Sequence, residues 1–72
     1  MKRYDSYMTD RLVEELYKIS DNNVVIAKKI GCDRRNVSYW IGGHSVPNAY
    51  YLKSMYEIGM DVIYILTGKR TR

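Results

Sequence analysis

Residues 22–47 read NNVVIAKKIGCDRRNVSYWIGGHSVP, and the stretch opens with the pattern of a short helix. Asn22 is a suitable N-cap, because its side-chain oxygen can accept a hydrogen bond from a backbone N–H of the first turn. Gly31 can adopt the left-handed conformation that ends a helix. The pattern therefore predicts a helix over about residues 23–30.

A second helix follows almost at once. Asp33 is its predicted N-cap, and Gly42 and Gly43 end it, so we expect it over about residues 34–41. Only three residues remain for the turn between the two helices. Helices joined in this way cannot easily lie antiparallel, and we expect them to cross steeply.

Hydrophobic spacing predicts which side of these two helices meets the core. Four apolar side chains are expected to face inward, and Ala27 should allow close backbone approach at the crossing; the four are Ile26, Ile30, Val37 and Trp40. With these positions committed to the core, four side chains of the later helix are left outside, namely Arg34, Arg35, Ser38 and Tyr39. Cationic side chains at a helix N-terminus oppose the helix dipole. The arginine pair therefore indicates contact with an anionic partner.

The remaining segments also read as helices. Leu12, Leu16 and Ile19, with Met8 extending the same stripe, predict a helix over about residues 9–19. Pro47 or Asn48 opens another helix that runs to Ile58 and is stopped by Gly59, with an expected inner side of Ala49, Leu52, Met55 and Tyr56. Asp61 is the predicted cap of a short last helix over about residues 62–66, ended by Gly68. The sequence has no sustained alternation typical of strands, so we expect an all-α fold of five helices in a single domain, residues 1–72.

Composition narrows the class of protein. The chain has 72 residues and one cysteine, Cys32, so a disulfide framework within it is excluded. His44 is the only histidine, which leaves too few ligands for a structural zinc site. We expect no metal and no cofactor. No segment reads as a signal peptide or a membrane span, which favours a soluble, cytoplasmic protein.

Positive charge is concentrated in the middle of the chain. Lys and Arg number 12 against 8 Asp and Glu. Residues 22–47 hold four of these cations and a single acid, Asp33. A basic segment on a near-neutral body is typical of proteins that bind a polyanion.

The segment from Asn22 to Pro47 resembles the helix-turn-helix of phage repressor and Cro-type proteins (lambda repressor-like, XRE-like). Positions that match the family pattern are Ile26-Ala27, Gly31, Cys32, Val37-Ser38, Trp40, Gly43 and Pro47. The later GMDVIYILTG is similar to the end of such domains in phages and prophages. The sequence departs from the family at Ile41 and Gly42, which replace an acidic and a polar residue.

The resemblance implies which residues contact DNA. In this family, outward residues near the start of the later helix enter the major groove. By position, the base contacts would be Arg34, Arg35, Ser38 and Tyr39. Asn23 stands where the family commonly has a phosphate-binding glutamine; the remaining phosphate candidates are Lys28, Lys29, His44 and Ser45.

We therefore expect a sequence-specific regulator of transcription that binds double-stranded DNA as a dimer. Three alternatives remain: an antitoxin, a DNA-packaging or recombination accessory protein, and a protein-interaction module. An enzyme is not expected, because Asp10, Glu14 and Glu15 are predicted to lie on a solvated helix face without a histidine or nucleophile nearby.

The last helix gives an expectation about assembly. At about 100° per residue, Val62, Ile65 and Leu66 would face inward, and a second group would face outward, comprising Met60, Ile63 and Tyr64. An exposed apolar group suggests a partner surface, and relatives in the resembled family dimerise near this end. We predict a dimer contact through the second group, with the alternative that Tyr64 folds back as the edge of the core.

Overall fold

The computed structural model describes residues 6–70, and the regular structure in that range is entirely helical. The five helices are α1 Ser6–Ile19, α2 Asn23–Ile30, α3 Arg34–Ile41, α4 Ala49–Glu57 and α5 Val62–Thr67. The all-α prediction is therefore confirmed over residues 6–70. The predicted single domain extends at both ends beyond the described residues.

The helix boundaries follow the local signals closely. α2 and α3 begin and end where the caps predict. α1 starts at Ser6, earlier than expected, and Met8 in this added turn packs against the core. α4 ends at Glu57 with Ile58 as its C-cap, whose N–H donates to the carbonyl of Ser54.

The turn between α2 and α3 is built from two caps and one glycine. Asn22 Oδ1 accepts from the N–H of Val24 at 2.9 Å and so opens α2. Gly31 closes the helix with φ of 89°, and its N–H donates to the carbonyl of Ala27 at 2.8 Å. Asp33 Oδ1 accepts from the N–H of Arg35 at 2.8 Å and opens α3. The chain thus needs only residues 31–33 to pass from one helix to the next.

All five helices contribute to one buried cluster. The inward positions predicted for α2 and α3 are confirmed, since each side chain there is at most 4% exposed. The cluster consists of Leu12, Leu16, Ile26, Ala27, Ile30, Val37, Trp40, Met55, Met60 and Ile65. α2 packs chiefly against α3, and α1 packs chiefly against α5 and α3.

The inner side of α4 differs from the prediction. Met55 and Leu52 face the core as expected, but Ala49 and Tyr56 are exposed, Tyr56 to 70%. Tyr51 turns inward instead, and its ring meets the Trp40 ring edge-to-face at 5.6 Å. The inward stripe is therefore rotated, because Tyr51 finds an aromatic partner on α3.

The last helix also departs from its predicted orientation. Ile65 is buried and Val62 half-buried, but Leu66 is 45% exposed. Arg11 Nε of α1 donates to the carbonyl of Ile65 at 3.0 Å, which ties α5 to α1. No helix within residues 6–70 combines the length and the apolar character that a membrane crossing requires.

Glu15 is buried, contrary to the expectation that it lies on a solvated helix face. Its carboxylate accepts from Lys18 Nζ at 2.8 Å, from Arg70 Nη1 at 2.8 Å and from the N–H of Asp61 at 3.1 Å. Burial raises the pKa of Glu15, but these hydrogen bonds outweigh it and hold the pKa below its usual value. The group therefore remains ionised inside the molecule, where it is 4% exposed.

Arg70 joins the end of the described chain to α1. Besides Glu15, its guanidinium bonds Glu14 at 2.6 Å and lies 3.7 Å from the Asp61 carboxylate. The same group stacks on the Tyr64 ring, 3.6 Å from its centroid. We call Glu14, Glu15, Asp61, Tyr64 and Arg70 the tail clamp.

Candidate nucleic-acid interface

α3 has two chemically different sides. Val37 and Trp40 are 0% and 3% exposed and hold the helix to the core. The opposite side is exposed and carries Arg34, Arg35, Ser38 and Tyr39, which we call the outer face of α3. Tyr39 is 52% exposed although it directly precedes Trp40. The predicted exposure of all four residues is confirmed.

The start of α2 lies beside this outer face. Asn23 Nδ2 donates to Ser38 Oγ at 3.2 Å, and both groups are accessible to solvent. An open groove runs here, and its lining includes the side chains of Asn22, Arg34 and Arg35. The structure thus brings a predicted phosphate contact of α2 together with predicted base contacts of α3.

The two arginines of the outer face have different surroundings. Asp33 accepts from Arg35 Nε at 3.3 Å and from Arg35 Nη2 at 3.4 Å, in addition to capping the helix. The hydrogen bond from the Arg35 backbone N–H is the main cause that lowers the pKa of Asp33, and the hydrogen bonds from the Arg35 side chain lower this pKa further. The hydrogen bond to Asp33 raises the pKa of Arg35 in turn. The Arg34 side chain forms no hydrogen bond or ion pair with residues 6–70.

The lysines of α2 are both exposed, but they do not lie together on the groove. Lys29 lines a separate depression with Lys18 and Gly59. That depression is on the side of α1 and the α4–α5 turn. Neither lysine lines the groove beside the outer face of α3.

The loop after α3 presents His44 close to Gly42. The N–H of His44 donates to the carbonyl of Tyr39 at 2.9 Å, which folds the loop back on the end of α3. A Cβ added at Gly42 would lie 2.8 Å from His44 Cδ2, so the imidazole covers this glycine. Gly42 thus leaves room for the ring. His44 is exposed and Ser45 is half-buried.

Cys32 has the structural role expected from its position in the turn. It is half-buried and packs against the core. Burial is the main cause that raises the pKa of its thiol, and the negative charge of the nearby Asp33 carboxylate raises this pKa further. The thiol is therefore protonated at neutral pH and a poor nucleophile.

The predicted dimer surface is not formed as the sequence suggests. Met60 is 6% exposed and belongs to the core, because its N–H bonds the carbonyl of Met55 and turns the chain inward after Gly59. Tyr64 is half-buried and its hydroxyl donates to Glu14 Oε1 at 2.7 Å, so it folds against α1. Ile63 is exposed as predicted, at 48%, and its exposed neighbour on the same helix is Leu66.

The tail clamp is the polar cluster that sequence analysis missed. One signal was present: Glu15 lies three residues after Leu12 and directly before Leu16, on the apolar side of α1. The sequence contains no signal for the pairing of Glu15 with Arg70, because the two residues are 55 positions apart. Within residues 6–70, no group of three or more His, Cys, Asp or Glu side chains is arranged to hold a metal ion.

Comparison of the chain with protein-family models, with curated proteins and with solved structures finds no match in any of the three. The features of the molecule that bear on its function are the groove, the outer face of α3 and the charges around them.

Proposed function

We propose that this protein is a sequence-specific double-stranded DNA-binding regulator of transcription, with a lambda repressor-like fold. In this proposal α2 and α3 form a helix-turn-helix of the phage repressor and Cro type, and α3 is the helix that enters the major groove.

The observation that carries the proposal is the division of α3 into a buried and a cationic side. An α-helix with its side chains is about 10–12 Å wide, and the major groove of B-DNA is about 12 Å wide. Val37 and Trp40 fix the helix on the core, and the outer face projects from it. Arginine can donate a pair of hydrogen bonds to O6 and N7 of guanine, and Tyr39 can contact a thymine methyl or a phosphate.

Phosphate contacts would come from groups around the outer face. Asn23 lies beside Ser38 at the start of α2. His44 is exposed in the loop that folds back on the end of α3, with Ser45 beside it. Lys28 and Lys29 add positive charge on α2, outside the groove. Contacts of this type release counterions, so the affinity should fall steeply as the salt concentration rises.

A two-fold symmetric operator would require a second copy of the chain. Two recognition helices must be about 34–36 Å apart to enter successive major grooves. Each chain has one α3, so a second copy must supply the other recognition helix. We propose that a second copy contacts the exposed side chains of Ile63 and Leu66, since Met60 is buried and Tyr64 is bound to Glu14.

Selection of bound sites from random duplex DNA tests the function directly. The expected result is a short motif repeated with two-fold symmetry. The matched control is the double variant Arg34→Ala, Arg35→Ala, which keeps the Asp33 cap and the buried side of α3. This variant should retain helical circular dichroism and lose the enrichment. Failure of the natural chain to enrich any sequence would contradict the proposal and favour a protein-interaction module.

A further inference from the structure

Asp33 makes two kinds of contact with the same residue. Its Oδ1 accepts from the backbone N–H of Arg35 at 2.8 Å, the usual contact of an N-cap. The carboxylate also accepts from the Arg35 side chain, with Oδ1 3.3 Å from Nε and Oδ2 3.4 Å from Nη2. One carboxylate therefore caps the first turn of α3 and also contacts a guanidinium on its outer face.

The remaining donors of Arg35 define what it can bind. A guanidinium has five N–H donors: one on Nε and two on each terminal nitrogen. Asp33 occupies the edge formed by Nε and Nη2. The adjacent edge, formed by Nη1 and Nη2, keeps one parallel N–H on each nitrogen. Two parallel donors match the O6 and N7 acceptors that guanine presents in the major groove.

We propose that Asp33 is a positioning residue for base recognition, which holds Arg35 so that its Nη1–Nη2 edge is presented to a guanine. This inference rests on the proposed DNA-binding function and adds a division of labour between the adjacent arginines. Arg35 is oriented before DNA arrives. Arg34, which has no such partner among residues 6–70, loses more rotamer freedom when it binds.

The arrangement has opposite effects on affinity and on discrimination. An arginine already held in its binding geometry loses less conformational entropy on binding. The free energy gained from contact with the correct base is therefore larger. The Asp33 carboxylate stays ionised at neutral pH, because its pKa lies below the usual value. A negative charge beside the groove repels DNA phosphates on every sequence. Asp33 should therefore weaken binding in general and sharpen the choice of one base pair.

Asp33→Asn separates these effects, since asparagine caps helices about as well as aspartate and has no charge. The probes are the duplex recovered by selection with the natural chain, a set of duplexes in which each base pair is replaced in turn, and a scrambled duplex. We expect Asp33→Asn to bind the scrambled duplex more tightly than the natural chain does. Its discrimination should fall about 2- to 10-fold, at one base pair of each half-site only.

Arg35→Lys identifies that base pair, because it keeps the charge and removes the paired donors. It should lower discrimination there about 5- to 150-fold. When Arg35 is already lysine, adding Asp33→Asn should change affinity on all duplexes alike and discrimination no further. Arg34→Lys is the matched control, and its effect should fall on a different base pair. Asp33→Ser, a second capping residue, should reproduce the result for asparagine.

An equal gain of affinity on every duplex, with discrimination unchanged, would overturn the positioning role and leave the DNA-binding proposal intact. An effect of Asp33→Asn spread over many base pairs would also overturn it. A natural chain that prefers no duplex would overturn both proposals together. Circular dichroism of each variant shows whether α3 is still folded.

Discussion

Trp40 is the residue that joins the outer helix α3 to the rest of the molecule. It is 3% exposed, and its ring contacts Tyr51 of α4 at 5.6 Å. Replacing a buried tryptophan by alanine costs about 3–5 kcal/mol. Such a loss is comparable to the stability expected of a domain this small. Trp40→Ala should therefore lose its helical circular dichroism signal at room temperature, or unfold at much lower urea concentration.

The neighbouring aromatic residue provides a matched control for this prediction. Tyr39 is 52% exposed and lies on the outer face of α3. Tyr39→Ala should change the free energy of unfolding, measured by urea titration, by no more than the amount typical of surface substitutions, about 0.5 kcal/mol. If Trp40→Ala were as stable as Tyr39→Ala, the assignment of the two sides of α3 would be wrong.

At the scale of elements, the α2–α3 turn depends on the conformation of Gly31. Its φ of 89° is one that a residue with a Cβ rarely adopts, while the space around it is open. Gly31→Ala should therefore cost about 1–2 kcal/mol from backbone strain alone. Urea unfolding followed by circular dichroism measures this loss.

Gly42 is the control for that turn, because its φ is −77°. Alanine there is free of backbone strain, and its Cβ would displace only the His44 ring. Gly42→Ala should change the free energy of unfolding less than Gly31→Ala does. A larger loss for Gly42→Ala would mean that the packing of His44, and not the left-handed turn, governs the stability of this segment.

For the molecule as a whole, the tail clamp makes the free energy of unfolding decrease at acidic pH. The folded-state pKa of Glu15 is lowered from its ordinary value of 4.5. Its contribution to stability is therefore complete above about that pH and is lost as the pH falls through the lower, folded-state pKa. Urea unfolding from pH 7 down to pH 3 should show decreasing stability below about pH 4.5.

Glu15→Gln tests the source of this dependence, because glutamine has nearly the same shape and does not titrate. The variant should be less stable at pH 7 and lose less stability on acidification. Glu14→Gln is the exposed counterpart and should have a smaller effect at pH 7, since exposed ion pairs contribute little. Identical acid profiles for the natural chain and Glu15→Gln would contradict the assignment.

Assembly on DNA is the second property of the whole molecule. Ile63 is 48% exposed on α5, and its replacement by lysine leaves the buried residue Ile65 unchanged. Under the dimer proposal, Ile63→Lys should remain folded, bind a half-site normally and lose cooperative binding to a full site. Gel-shift titrations on both duplexes measure this. Lys53→Glu, on the exposed side of α4, serves as a surface-charge control. Unchanged cooperativity in Ile63→Lys would place the dimer contact elsewhere.

Local sequence signals are sufficient to predict the secondary structure around the candidate site. Asn22, Gly31 and Asp33 define the ends of α2 and α3, because capping depends on residues within one turn of the helix end. The spacing of apolar residues in both helices then identified the buried side correctly. The exposure of the outer face of α3 follows from this assignment, since its residues are those that do not pack in the core.

The orientation of the other elements, and the contacts that they make, depend on the packing of the whole chain. α5 has only six residues, and fewer than two turns do not define an inner side, so the prediction for Leu66 is wrong. Met60 precedes this helix, and the turn after Gly59 directs its side chain into the core. Tyr51 turned inward because Trp40 lies opposite it. Burial of Glu15 is possible because Arg70, which is distant in the sequence, forms an ion pair with its carboxylate. The spacing of apolar residues along a helix predicts which side of that helix is apolar. The orientation of Tyr51 and the burial of Glu15 depend instead on partner residues that only the folded chain brings into contact.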